Sequence, residues 1–189
     1  MNLPRTLTAL FLAIFALSPL PSPAAGMGEP PETRVIMPRE PDPAGKPPEV
    51  EPQSEAIAKM EARVLSRVND IREENGLVRL EPLPALSRIA RNYSRRMSEE
   101  DFVGHTDPQG KGLDDRLLDA GMSFRTIAEN IAQSTNMPDP AEAAVEGWME
   151  SEGHRRNILN EEFIQTGVGI WRDGETYFFT QIFRKLQGF

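Results

Sequence analysis

The apolar residues of this chain change period once, and that change limits the folds open to it. From Ile57 onward, Ile57, Met60, Val64, Val68 and Ile71 recur at steps of three and four, one stripe of a helix. Ser54 can cap its start and Asn75-Gly76 supplies a left-handed stop. A second helix follows Pro84, with Leu86, Ile89, Ala90, Tyr93 and Met97 on its inner face, and a short third runs from Leu113 to Ala120 and ends at Gly121. The fourth has the strongest local signal: Asp139 as N-cap, Pro140 at the first helical position and Glu142 placed to complete a capping box. It runs to about Glu150 and buries Ala144, Val145, Trp148 and Met149, with one further turn expected over Arg155 to Leu159. Past Thr166 the pattern becomes that of strands: Thr166 to Trp171 and Thr176 to Phe183 flank Arg172-Asp173-Gly174-Glu175, whose Asp-Gly pair suits a tight hairpin. Ile127 to Ala132 supplies a candidate third strand. Helices first and a hairpin last describe an antiparallel sheet covered by helices, an α+β fold rather than a doubly wound parallel one.

Upstream of this unit the chain reads differently. Arg5, an apolar run from Leu7 to Leu17 and the small residues and prolines up to Ala25 have the layout of a secretory signal peptide, residues 1–25, with cleavage expected after Ala24 or Ala25. The alternative of an uncleaved anchor is disfavoured because the run falls short of the roughly 20 residues that cross a bilayer. Residues 26–53 hold Pro30, Pro31, Pro38, Pro41, Pro43, Pro47, Pro48 and Pro52 and few large apolar side chains, the composition of a semi-extended tether. The folded domain is therefore expected over 54–189.

The chain has no cysteine, which removes disulfides, thiol chemistry and lipidation at an N-terminal cysteine. Its net charge of -8 argues against nucleic acid or anionic lipid as a charge-driven partner. Arg88, Arg91, Arg95 and Arg96 form its nearest approach to a basic cluster, read as a solvated helix face. No phosphate loop, nucleophile elbow, His-Glu-x-x-His run or internal repeat is visible.

Three residues carry what chemistry remains. The chain has two histidines: His105, in the loop Phe102-Val103-Gly104-His105-Thr106-Asp107-Pro108, and His154, in Ser151-Glu152-Gly153-His154-Arg155-Arg156-Asn157 beyond the fourth helix. Glu129 sits in Ala128-Glu129-Asn130-Ile131-Ala132, a carboxylate in an apolar segment that needs a partner once buried.

The segments Asn69 to Leu77, Phe102 to Pro108, Ala128 to Ala132, Trp148 to Asn157 and Thr180 to Phe183 resemble, in order and spacing, the blocks of the bacterial secreted members of the CAP superfamily, also called SCP or cysteine-rich secretory, antigen 5 and pathogenesis-related 1 proteins. The resemblance implies an α-β-α sandwich with a central antiparallel sheet and a solvent-accessible cavity. In eukaryotic members that cavity is lined by two His and two Glu, and some hold a divalent metal such as zinc. Carried over by position, His105 matches the first histidine and Glu129 the first glutamate. The second glutamate falls at Ser151, with Glu150 and Glu152 on either side, and the second histidine is replaced by Phe178. His154, in the Gly-His-Arg segment typical of bacterial relatives, is the candidate replacement.

Two readings of these residues stay open. In one, His105 and His154 are metal ligands, for zinc or another divalent ion, and His105, Glu129, Ser151, Glu152 and His154 line a ligand cavity. In the other, His105 and Glu129 are a hydrogen-bonded pair that pins loops to the sheet, while His154, Arg155, Arg156 and Asn157 close the end of the fourth helix. The function expected is that of an exported, periplasmic or extracellular, monomeric and non-catalytic module for a small apolar ligand or an envelope component. The alternative is a metal-assisted, peptidase-like hydrolase with His105 and His154 on the metal and Glu129 as base.

Overall fold

The computed structural model describes residues 50–186; the expected signal peptide and residues 26–49 of the tether lie outside them. The elements, in chain order, are α1 (Glu55–Glu74), β1 (Glu81–Pro82), α2 (Pro84–Glu99), α3 (Leu113–Asp119), β2 (Thr126–Thr135), α4 (Pro140–Glu150), α5 (Glu152–Ile158), β3 (Gln165–Asp173) and β4 (Thr176–Lys185). Local chemistry explains the helix starts. Ser54 accepts the Ile57 N–H at α1 and Asp139 accepts the Glu142 N–H at α4, while Pro84 and Pro140 open their helices where no backbone donor is needed. Only half of the expected capping box forms at α4, because the Glu142 carboxylate turns to Arg67 at 3.2 Å. The α5 helix begins at Glu152 rather than Arg155, so His154 lies within a helix and not in a connecting loop.

The strands form one sheet in the order β1-β3-β4-β2. The β3–β4 and β4–β2 ladders are antiparallel, and β2 pairs with β4 from Thr126↔Lys185 to Thr135↔Thr176. The expectation of a wholly antiparallel sheet is corrected at one edge, where β1 runs parallel to β3 through Glu81↔Gln165 and Pro82↔Thr166. Two residues, one of them proline, show no alternation from which a strand could be read. In the hairpin, Gly174 and Glu175 are the central pair, and Gly174 has the positive φ of 56° that a type II′ turn needs at its first position.

Helices cover both faces. On one, Ile57, Val64 and Val68 of α1 and Ala144, Val145 and Trp148 of α4 pack with Val168, Ile170, Phe179 and Phe183. On the other, α2 sets Leu86, Ile89 and Ala90 against Leu117 and Ile182, and Tyr93 and Met97 against Ile131 and Phe178. The layers are thus helix, sheet, helix. The packing also takes in residues upstream of Ser54: Val50 is buried, and the Gln53 side chain pairs with the backbone of Arg172 through N–H and C=O. Among the described residues no helix is long and apolar enough to cross a membrane.

Two glycines set the distance between α2 and the sheet. A Cβ on Gly167 would lie 2.3 Å from the Ser87 backbone N, and one on Gly169 2.0 Å from that of Arg91. Ser94 uses this close approach, its Oγ lying 3.0 Å from Gly169 O and 2.9 Å from Thr180 Oγ1. Since the obstacle is backbone and cannot swing aside, Gly169→Ala is expected to destabilise the domain by about 3 kcal/mol. Urea denaturation checks this as a lower midpoint with an unchanged slope.

Candidate functional site

The period of two along β2 puts Ile127, Glu129 and Ile131 on the α2 face, among apolar side chains. The Glu129 side chain is 3% exposed, and a bare carboxylate there would cost several kcal/mol. It is not bare. Arg116, from α3, donates to it bidentately, Nη1 to Oε2 at 2.7 Å and Nη2 to Oε1 at 3.1 Å, and His105 Nδ1 lies 3.0 Å from Oε1. The guanidinium is held in turn by Gly112 O and His105 O, each at 3.2 Å, and lies 3.4 Å above the Tyr93 ring. Burial pushes the Tyr93 phenol up to about 12, against the opposing pull of Arg116. Its hydroxyl therefore stays protonated and donates to Gly104 O at 2.7 Å, beside His105.

The loop that carries His105 is built around Asp107. Oδ1 accepts the N–H groups of Gln109 (2.9 Å) and Lys111 (2.8 Å), and Oδ2 accepts Arg96 Nη1 at 2.6 Å. Burial alone would raise the carboxyl's pKa, but the Lys111 N–H and Arg96 outweigh it and hold it below the usual range. Arg96 is thus part of the loop's support and not only a solvated cation.

His105 is fixed through Nδ1 while its side chain is 59% exposed, and among the described residues Nε2 has no hydrogen-bond partner. His154 comes alongside from α5, with ring centroids 6.4 Å apart and planes inclined by 49°. Burial first, and His105 second, lower the pKa of His154. The α5 helix is tied to β2 by Asn130 Nδ2, which donates to His154 O at 3.2 Å, and by Asn157 Nδ2, which donates to Asn130 Oδ1 (2.9 Å) and Glu129 O (3.3 Å). Arg155 donates to Met149 O at 3.0 Å, closing the end of α4.

The structure therefore brings His105, Glu129 and His154 together. It gives Ser151 and Glu152 no hydrogen bond or ion pair to any of the three. Ser151 joins α4 to α5, and Glu152 is exposed, with Arg156 at 3.8 Å. Phe178 is buried with Tyr93, Met97 and Ile131. A groove of about 230 Å³ lies elsewhere, between α1 and α4, lined by Arg63, Arg67, Asp70 and Glu142 among others. Arg116 was not singled out in the sequence; the one signal for it was the demand of Glu129 for a cation.

The donor set does not fit a zinc centre. Structural and catalytic zinc sites take three or four protein ligands, and among the described residues no group of three His, Asp or Glu converges to hold a metal. Both Glu129 oxygens already accept hydrogen bonds, which leaves the two imidazoles.

Arg116→Ala strands a buried carboxylate and is expected to cost about 3 kcal/mol or more in urea denaturation, whereas the double variant Arg116→Met/Glu129→Leu recovers most of that loss. The support from Asp107 is present above the ordinary Asp pKa near 3.9 and fades as pH falls through its lower folded-state value. The protection factors of the Gln109 and Lys111 amides, taken against the unfolded-chain exchange rate at each pH, should fall on acidification below about pH 4 in the wild type. In Asp107→Asn they should be low already at neutral pH.

A family model described as the Cysteine-rich secretory protein family, CAP, matches residues 65–183. YkwD of Bacillus subtilis (strain 168) is 34% identical over 122 residues, 65% of this chain and 46% of that protein. YlbC of the same strain, described as a membrane protein, is 37% identical over 125 residues, 66% of this chain and 34% of that one. An extracellular protein containing an SCP domain from Bacillus anthracis has a similar structure, with a TM-score of 0.62 at 30% identity, covering 72% of this chain and 45% of that chain. This chain thus spans less than half the length of each of these relatives. The matched residues contain His105, Glu129, His154 and most of the sandwich around them, and the chain belongs to the CAP, or cysteine-rich secretory protein, family.

Proposed function

We propose that this protein is exported to the periplasm or the cell exterior and acts there as a non-catalytic binding module, presenting His105 and His154 to a small apolar ligand or an envelope component. The observation that carries this reading is the state of Glu129: a buried carboxylate with both oxygens engaged has no face left toward a substrate or an attacking water. What faces outward is the half-exposed ring of His105, whose Nε2 has no hydrogen-bond partner among the described residues, with His154 beside it and the exposed Val103 nearby in sequence. Such a face suits recognition by one or two hydrogen bonds plus apolar contact. Export is supported by the signal-peptide layout of residues 1–25, and by the Bacillus anthracis relative, which is named an extracellular protein.

The test pairs binding with turnover. Retention of the purified protein on isolated peptidoglycan and on phospholipid vesicles is expected to fall at least about tenfold in His105→Ala/His154→Ala, a loss of one or two directed contacts. Peptide and peptidoglycan hydrolysis should be absent from wild type and Glu129→Gln alike. Hydrolysis by the wild type that Glu129→Gln abolishes without unfolding would replace this reading with the peptidase-like one.

A further inference from the structure

We propose, resting on the binding role above, that the ligand of this face is a neutral molecule that offers an O–H or N–H hydrogen to Nε2 of His105, and that a carboxylate or phosphate is turned away there. One chain of hydrogen bonds sets this preference. Both oxygens of Glu129 face N–H groups of Arg116, at 2.7 and 3.1 Å, and a guanidinium can only donate. Oε1 therefore meets His105 with a lone pair, and Nδ1, 3.0 Å away, must carry the hydrogen between them. A neutral imidazole holds one N–H and one lone pair, so the lone pair is left at Nε2, the nitrogen without a partner among the described residues. The carboxylate behind Nδ1 makes that lone pair the stronger acceptor.

An anion would bring its own lone pairs against the one at Nε2. The cation of this network gives it no compensation, because the Arg116 side chain is 9% exposed and spent on Glu129. Burial first, and His105 second, lower the pKa of His154, which favours its uncharged ring. A hydroxyl or an amide N–H meets neither obstacle. His105 is on this account the group that touches the ligand, and Glu129 and Arg116 are positioning residues that set its tautomer.

The tautomer is read without any ligand, from the imidazole nitrogen shifts in NMR spectra of the isotope-labelled full chain, on the alkaline side of the His105 titration that the same spectra follow. His105→Ala assigns the signals. The wild type is expected to carry the hydrogen on Nδ1. Glu129→Gln, whose amide presents an N–H once Arg116 has taken its oxygen, is expected to move the hydrogen to Nε2. Three probes are then titrated: octanol, octanoate and N-acetylglucosamine. Octanol or N-acetylglucosamine is expected to shift Nε2 and to bind at least about tenfold more tightly than octanoate, the cost of setting two acceptors face to face. A response to octanol places the donor on an apolar alcohol, and a response to N-acetylglucosamine places it on an envelope sugar. A wild type with its hydrogen on Nε2 overturns the proposal, as does a folded Glu129→Gln with an unchanged tautomer. Octanoate bound at His105 as tightly as either neutral probe, or an Nε2 that answers neither of them, overturns it equally. Should Glu129→Gln not fold, the wild-type tautomer and the order of the probes decide. The wider binding role fails on a different result, unaltered retention of His105→Ala/His154→Ala on peptidoglycan and vesicles.

Discussion

An open sheet leaves a row of backbone donors and acceptors on each outer strand, and each of these must find a partner once helices exclude water. Here side chains take that part, and their placement fixes the rest of the molecule. On the free side of β3, the Ile170 N–H donates to Glu61 at 3.1 Å and the Arg172 N–H to the Gln53 side chain at 2.6 Å. Glu61 is held by three contacts of 2.8 to 3.0 Å from Arg91, which also binds Val50 O; burial raises its pKa and the guanidinium opposes that. On β2, Trp148 Nε1 donates to Ile131 O at 3.0 Å and Asn157 to Glu129 O at 3.3 Å. The Asn157 contact brings α5 against the strand, and with α5 comes His154. The meeting of two imidazoles is thus a consequence of how a strand edge is closed.

Two buried arginines are put to opposite uses. Arg72 is 1% exposed and pairs with no carboxylate among the described residues; it donates instead to the carbonyls of Val78, Ile158, Asn160 and Phe163 at 2.6 to 3.3 Å. Ile158 ends α5, so the guanidinium satisfies a helix-terminal carbonyl that has no partner of its own and joins it to the loop before β3. Asn69, one turn earlier, exchanges two hydrogen bonds with the backbone of Leu80 at 2.7 and 3.1 Å. The Asn-to-Leu block of α1 is therefore structural cement. Arg116 has a charged partner instead, and its removal leaves a charge unpaired, a costlier defect than unpaired carbonyls.

What could be read in the sequence was what short-range chemistry decides. Ser54, Pro84, Asp139 and Gly121 mark helix limits through bonds within a turn or through a positive φ, and the hairpin register follows from alternation on either side of Gly174. That Glu129 needs a partner follows from a carboxylate among apolar neighbours, and a hydrogen bond to His105 is one of the two readings that the sequence leaves open. The identity of the compensating cation was not legible, since Arg116 approaches from a separate helix and nothing local distinguishes it from the other arginines. The start of α5 was missed for a similar reason: Ser151, in extended conformation, ends one helix and opens the next, and Gly153 disguises the continuation. Val50 and Gln53 escaped because their anchors, Arg91 and Arg172, lie far along the chain.

Phe178, at the position where the resemblance implies a histidine, and Arg116 bear on the same buried ring. Phe178 is a ring packed with Tyr93, Met97 and Ile131, and Phe102 and Tyr93 form a T-shaped pair with centroids 5.8 Å apart. Tyr93 is the common member, packed into the aromatic cluster and covered on its face by the guanidinium. An apolar wall around that ring excludes water from the cation–π contact and from the carboxylate beyond it, which strengthens both. The aromatic cluster and the internal cation therefore support each other: the hydrocarbon strengthens the ion pair, and the ion pair lets a carboxylate sit beneath hydrocarbon.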